Sequence, residues 1–284
     1  MDLRVTARHA LRVAHRLAPP LASAGAAALF LSPAPRARVW SIEREALASA
    51  DVRDVTVRGA TGRGSTVRAY QWGDGARPVL LVHGWQARAS RWAPLAAALA
   101  ARGLSPIAFD APGHGDSPGR TTDVPQVAAV IERIAQDTGP LTALVAHSFG
   151  ALGATLALRQ GVPAERFAAL APVSDPEHLL QTFSRQLDLH PRLTSAVRGR
   201  VERHLRKEDH TWLSLAVDRG PQDPQIPVLV VHDDEDHVVP IAHGQRMLAA
   251  HADAGELLVT RGLDHQRMLT APEVIRAVAD FAAA

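Results

Sequence analysis

The segment Leu141-Thr142-Ala143-Leu144-Val145-Ala146-His147-Ser148-Phe149-Gly150 runs from an apolar stretch into one serine flanked by small residues. A short apolar run bounded by turn residues reads as a buried strand. Ala146 and Gly150 stand two residues before and two after Ser148. Their small size lets a strand and a following helix approach closely around a sharp turn. Such a turn lifts the serine hydroxyl to the tip of the sheet and aims the Phe149 amide at the same space. The same five residues also fit a helix N-terminus capped by Ser148. The rest of the chain has to separate the two readings.

Working outward, apolar runs recur at 78–84, 105–110, 167–173, 227–233 and 256–260. Helical patterns lie between them at 90–102, 123–137, 149–160 and 241–252, and a last one covers 272–283. Strands that are apolar throughout, alternating with helices, imply an α/β fold: a mostly parallel central sheet with helices on both faces. Two more alternating runs, 53–57 and 66–72, flank the turn Gly59-Ala60-Thr61-Gly62-Arg63-Gly64 and read as a hairpin at a sheet edge. Residues 174–225 break the rhythm. They are polar and helical in pattern, too long for an ordinary connection, and leave from a strand end where ligands bind in such sheets. They are expected to form a helical lid. The expected organisation is an N-terminal amphipathic helical segment at 1–50 and one α/β domain at 51–284.

Residues 1–31 carry Arg4, Arg8, Arg12 and Arg16, then a soft apolar stretch interrupted by Pro19-Pro20. Leu3, Ala7, Ala10, Leu11, Ala14 and Leu17 follow helical spacing, with the arginines opposite. An amphipathic helix packed on the domain or lying on a membrane surface is expected, and a secretory signal is the alternative. The stretch is too short and interrupted to span a bilayer. The expected location is therefore cytoplasmic, with export or peripheral membrane association as the alternative.

The 284 residues hold no cysteine, which excludes disulfides and thiolate metal sites. Net charge is +2, and Lys207 is the single lysine beside many arginines. Acidic and basic residues are interspersed, so no nucleic-acid partner is expected.

Serine needs a base to take its proton, and the base needs an orienting partner. Downstream of Ser148, one late strand ends in Asp233-Asp234-Glu235-Asp236-His237-Val238-Val239-Pro240. The next ends in Arg261-Gly262-Leu263-Asp264-His265-Gln266. An acid and a histidine thus follow successive strands, in the order nucleophile, acid, base that a parallel sheet of this kind uses. The run of four acids also raises a metal loop. Its spacing favours a turn in which one acid faces the site.

Five segments together resemble the α/β-hydrolase superfamily, near its bacterial lysophospholipase-like and peptidase-like serine hydrolases. They are His83-Gly84-Trp85, Phe109 to Ser117, Ala146 to Gly150, Asp236 to Pro240 and Gly262 to His265. The resemblance implies Ser148 as nucleophile, His265 as base and Asp236, three residues before Val239, as orienting acid, with Asp233 the competing candidate. It implies the backbone amides of Trp85 and Phe149 as oxyanion hole. Alanine at 146 departs from the commonest form of the elbow. His83 is expected to support the turn before Trp85, and His114 and Asp116 to shape a loop. His147 is expected to face away from the serine and pack locally, and His237 to lie on the surface.

The implied reaction is cleavage of a carboxylic ester or thioester through an acyl-enzyme, with neither cofactor nor metal. The partner is a small-molecule acyl substrate. Apolar Leu179, Leu180, Phe183, Leu187, Leu189 and Leu193 in the 174–225 insertion suit a short or medium acyl chain better than a peptide. An acyltransferase or perhydrolase using the same triad is the enzymatic alternative. A non-catalytic hydrolase-fold binding protein is the alternative of another class.

Overall fold

Side chains alternate across a strand, so an apolar run with no polar gaps must be covered on both sides. In the computed structural model, which describes residues 3–58, 64–218, 226–251 and 254–284, this is how the sheet is built. Leu80 and Val82, with Leu144 and Ala146, feed one core; Val79 and Leu81, with Ala143 and Val145, feed the other.

The chain opens with α1 (Leu3–Leu17) and α2 (Pro19–Phe30), followed by a short α3 (Arg44–Ala48). Then come β1 (Asp51–Arg58), β2 (Gly64–Gln71), β3 (Pro78–Val82), α4 (Ala93–Ala100), β4 (Ser105–Phe109) and α5 (Val124–Thr138). Next are β5 (Ala143–His147), α6 (Phe149–Arg159), β6 (Phe167–Leu170), α7 (Pro176–Leu187) and α8 (Pro191–Leu205). The chain closes with β7 (Val228–Asp233), α9 (Ala242–Ala250), β8 (Gly255–Thr260), α10 (Asp264–Arg267) and α11 (Pro272–Ala283). The eight strands form one sheet in the order β1-β2-β4-β3-β5-β6-β7-β8. β1, β2 and β4 pair antiparallel, and the pairs from β4 through β8 are parallel. From β3 the chain steps to β4 on one side, then crosses to β5 on the other. The crevice beyond the carboxyl ends of β3 and β5 is thus the switch point where open α/β sheets bind ligands.

Differences from the sequence expectations have local causes. The N-terminal segment is two helices, because Ala18 precedes Pro19 and leaves helical backbone at φ −148°. α3 lacks a clear apolar period and escaped the reading. The 90–102 helix begins as a 3₁₀ turn at Ala89–Trp92. The 167–173 strand stops at Leu170, since Ala171 has φ 41°. β1 is the sheet edge, as the hairpin reading implied, while residues 59–63 of its turn, Gly62 included, lie outside the described residues. So do residues 219–225 at the end of the insertion. Among the described residues no helix is long and apolar enough to cross a membrane.

Asp123 caps α5: its carboxylate accepts from the Gln126 amide at 2.9 Å and lies 2.8 Å from His204 Nε2 on α8. Removing a cap of this kind costs about 1–2 kcal/mol. Asp123→Ala should lower the urea midpoint correspondingly while Asp123→Asn recovers most of it. An unchanged midpoint for the alanine variant would show that the cap contributes nothing.

Candidate active site

β5 ends at His147, and the next residue has φ 55° and ψ −122° before α6 begins. This is sparsely populated backbone for a residue with a side chain. Two hydrogen bonds hold the turn: the Ser148 amide donates to the Leu170 carbonyl at 3.0 Å, and the Ser148 carbonyl accepts from Val173 at 3.2 Å. Space is as limiting as hydrogen bonding. A Cβ on Gly150 would stand 2.6 Å from the His83 carbonyl oxygen. One on Gly84 would stand 3.0 Å from Ser148 Cβ. The glycines therefore let the β3 loop and the elbow touch.

The structure brings Ser148, His265 and Asp236 together, although they lie on three different connections. His265 Nε2 is 2.9 Å from Ser148 Oγ, and its Nδ1 is 2.7 Å from Asp236 Oδ2. All three are buried. With Nδ1 donating to the carboxylate, Nε2 is the nitrogen free to accept from the serine hydroxyl. Burial works against the Asp236 carboxylate. The His265 hydrogen bond and charge and the Val238 and Val239 amides outweigh it, holding Asp236 below the usual carboxylate range. Both amides reach Oδ1, at 2.8 and 2.9 Å.

The four-acid run divides by partner. Asp233 accepts from Thr260 Oγ1 at 2.8 Å and the Leu263 amide at 3.0 Å, which fixes the loop leading to His265. Asp234 pairs with Arg261 at 2.8 Å, and Glu235 is exposed. Asp236 is thus the member of the run that touches His265. His237 is exposed, as expected.

Trp85 follows β3, and Phe149 is the first residue of α6, so its amide lies ahead of the helical ladder. Their rings meet edge-on at 5.2 Å, which puts the two residues side by side at the serine. His83 joins the turns after β3 and β4: it accepts from the Ala111 amide at 3.0 Å and donates to the Gly84 carbonyl at 2.7 Å. His114 accepts from the Gln86 amide at 3.2 Å. Asp116 takes Arg88 at 2.7 Å and Tyr70 at 2.9 Å.

His147 differs from its expectation. It does not pack locally; its Nε2 donates to the His265 carbonyl at 2.9 Å, with the two rings 4.6 Å apart. Strand alternation is the reason. Ala146 points into the core beneath α5 and α6, so His147 points to the other side. There Met268 and Leu269, just after His265, are packed. The period-two pattern of β5 contained this signal, but not which loop would meet it.

A cavity of about 750 Å³ opens beside these groups, lined by Trp85, Ser148, Phe149, Val239 and His265 on the sheet side. Leu179, Phe183 and Leu187 of α7 and Val201 and Leu205 of α8 close another side. Leu180 and Leu193 are instead buried within the core cluster that includes α5 and α6.

Residues 79–278 match the sequence model of the alpha/beta hydrolase family. The chain belongs to that family. No curated protein matches it in sequence. Among solved structures, an esterase from Pyrococcus furiosus is similar at 19% identity and a TM-score of 0.61, over 87% of this chain and 96% of that one. A monoacylglycerol lipase from Paleococcus ferrophilus is similar at 22% identity and 0.59, over 76% and 98%. A bacterial membrane phospholipase A is similar at 20% and 0.60, over 85% and 88%. At these identities the likeness is one of fold.

The α/β hydrolase core buries several neutral histidines. Burial, with His265 nearby, pushes His147 well below its ordinary value. Burial depresses His83 as well, takes His114 down to about 3, and takes His243 to about 4. Unfolded histidine titrates near about 6.5. Below that pH the unfolded chain binds protons that the folded chain refuses, so stability falls with acidification from there toward pH 4. The melting temperature should be level above about pH 7 and drop steadily between pH 6.5 and 4.5. A level melting temperature down to pH 5 would contradict the neutral burial of these rings.

Proposed function

We propose that this α/β hydrolase cleaves carboxylic esters or thioesters by a serine mechanism. The observation that supports it best is the line of hydrogen bonds from Ser148 through His265 to Asp236 beside an apolar cavity. Ser148 Oγ attacks the acyl carbonyl carbon while His265 Nε2 takes its proton. Negative charge gathers on the carbonyl oxygen, facing the amides of Trp85 and Phe149. Such donors act most strongly on the tetrahedral state, and losing one costs about 3 kcal/mol in related chemistry. Asp236 keeps Nδ1 protonated and stabilises the imidazolium. His265 then gives its proton to the departing alcohol or thiol, leaving an ester on Ser148. Water, deprotonated by the same nitrogen, attacks that ester and releases the acid with Ser148 restored. On this reading α7 and α8 are the lid of the site.

Ester turnover by Ser148→Ala should fall by about four orders of magnitude or more, with the fold intact. Asp236→Asn should lose about a thousand-fold or more in kcat, because the amide cannot hold the imidazole in the required tautomer. Asp233→Asn should lower the melting temperature through the Thr260 and Leu263 contacts, yet keep kcat within about ten-fold. Near-normal turnover by Ser148→Ala would end the proposal. A larger kcat loss in Asp233→Asn than in Asp236→Asn would move the orienting role to Asp233.

A further inference from the structure

The cavity beside Ser148 is walled only in part by the region that matches the family. That match begins at residue 79. Part of the lining comes from before it: Ala7 and Ala10 of α1, and Leu29, Phe30 and Leu31 at the end of α2. Phe30 packs edge-on against Phe183 of α7 at 5.3 Å and stacks with Trp212 at 6.5 Å. All three aromatic residues line the cavity. The wall made by residues 3–35 is therefore continuous with the wall made by the β6–β7 insertion.

This N-terminal arm is tied down along its length. Arg8 and Arg12 both pair with Asp188, the residue that ends α7. Arg200 of α8 donates to Ser23 Oγ and to the Pro20 carbonyl, each at 2.8 Å. The Leu31 carbonyl accepts from the Thr122 amide at 2.9 Å, and Gln86 Nε2 donates to the Ala34 carbonyl at 2.8 Å. Ala22, Ala26 and Ala27 are buried against α8 and its surroundings. Gln86 lies one residue past Trp85, so the arm is anchored to the loop that faces Ser148.

We propose that the N-terminal arm forms the distal wall of an acyl-chain site and gives the enzyme a preference for long acyl chains, with Phe30 as the residue that reads their length. The proposal rests on the serine-hydrolase reading for the position of the acyl carbonyl. The space and its lining support the chain itself. A four-carbon acyl group would leave most of a 750 Å³ apolar cavity filled with water. A chain of twelve carbons or more replaces that water, and each methylene buried is worth about four-fold in affinity. The expected substrate is thus longer than the short or medium acyl esters that the sequence suggested.

Two measurements separate this proposal from the reading it rests on. The first is binding alone: laurate titrated into Ser148→Ala protein, followed by the fluorescence of Trp85 and Trp212 in the cavity wall. Saturable binding is expected, weakened about five-fold or more by Phe30→Ala. Ala7→Phe, which narrows the cavity from α1 without deleting a contact, should weaken it similarly and guards against a folding defect in the first variant. The second is turnover of p-nitrophenyl esters from C4 to C16 by the parent chain. The C12 to C4 ratio of kcat/KM should be at least about ten, and both variants should lower that ratio. Leu17→Ser and Leu21→Ser, on the outward face of the arm, should retain the parent ratio. Absence of laurate binding, equal binding by parent and both variants, or a ratio below one would overturn the acyl wall. If laurate binds as expected while no ester is turned over, the wall stands and the hydrolase reading falls.

Discussion

The structure depends on how closely two backbones meet at the switch point of the sheet. The loop after β3 and the turn after β5 touch through Gly84 and Gly150, where a Cβ would stand 3.0 Å from Ser148 Cβ and 2.6 Å from the His83 carbonyl. That contact holds Ser148 at φ 55° and ψ −122°. Backbone strain of this kind costs about 1–3 kcal/mol and persists only where surrounding structure over-determines it. Here the surroundings are a fully buried β5 and the amide and carbonyl bonds to Leu170 and Val173. The rigid parallel sheet is what sustains the strained backbone of this buried serine.

A second layer of buried polar groups fixes the loops that frame the serine. Asp110 has no exposure, and its carboxylate accepts from the amides of Ala89 and Asp116 at 2.8 and 2.7 Å. Tyr70 and Arg88 converge on Asp116. Burial and the two carboxylates push the Tyr70 hydroxyl far above its ordinary value, so it remains a donor at any ordinary pH. His83 and His114 then connect this knot to the turn before Trp85 and to Gln86. The order of Trp85 beside Phe149 is thus inherited from a network whose members lie on β2 and on the loops after β3 and β4. Buried polar networks of this kind are costly when any member is unpaired.

Much of this was legible in the sequence, because the parallel strands are continuous apolar runs and their ends carry the polar residues. Ser148, Asp236 and His265 stood out by motif and order, and they meet within hydrogen-bonding distance. The choice among Asp233, Asp234, Glu235 and Asp236 rested on resemblance; the partners of each acid show why the run is not one functional unit. The local packing expected of His147 did not hold, since alternation tells which side of a strand a residue faces but not which distant loop covers that side. The first 50 residues were the least legible. Their amphipathic spacing fits a surface helix, a signal or a packed wall equally well. In the structure the segment contacts α7 and α8 through Asp188, Arg200 and Phe183, and no local pattern encodes those long-range contacts.

The account stands or falls on the chemistry of one hydroxyl. The most direct measurement is reaction of the native protein with a fluorophosphonate, followed by tandem mass spectrometry of the peptide spanning β5 and α6. The account predicts one phosphonyl adduct, on Ser148 Oγ, formed rapidly at neutral pH and abolished by prior denaturation. An unmodified Ser148 in folded protein, or an adduct carried on another residue, would contradict it.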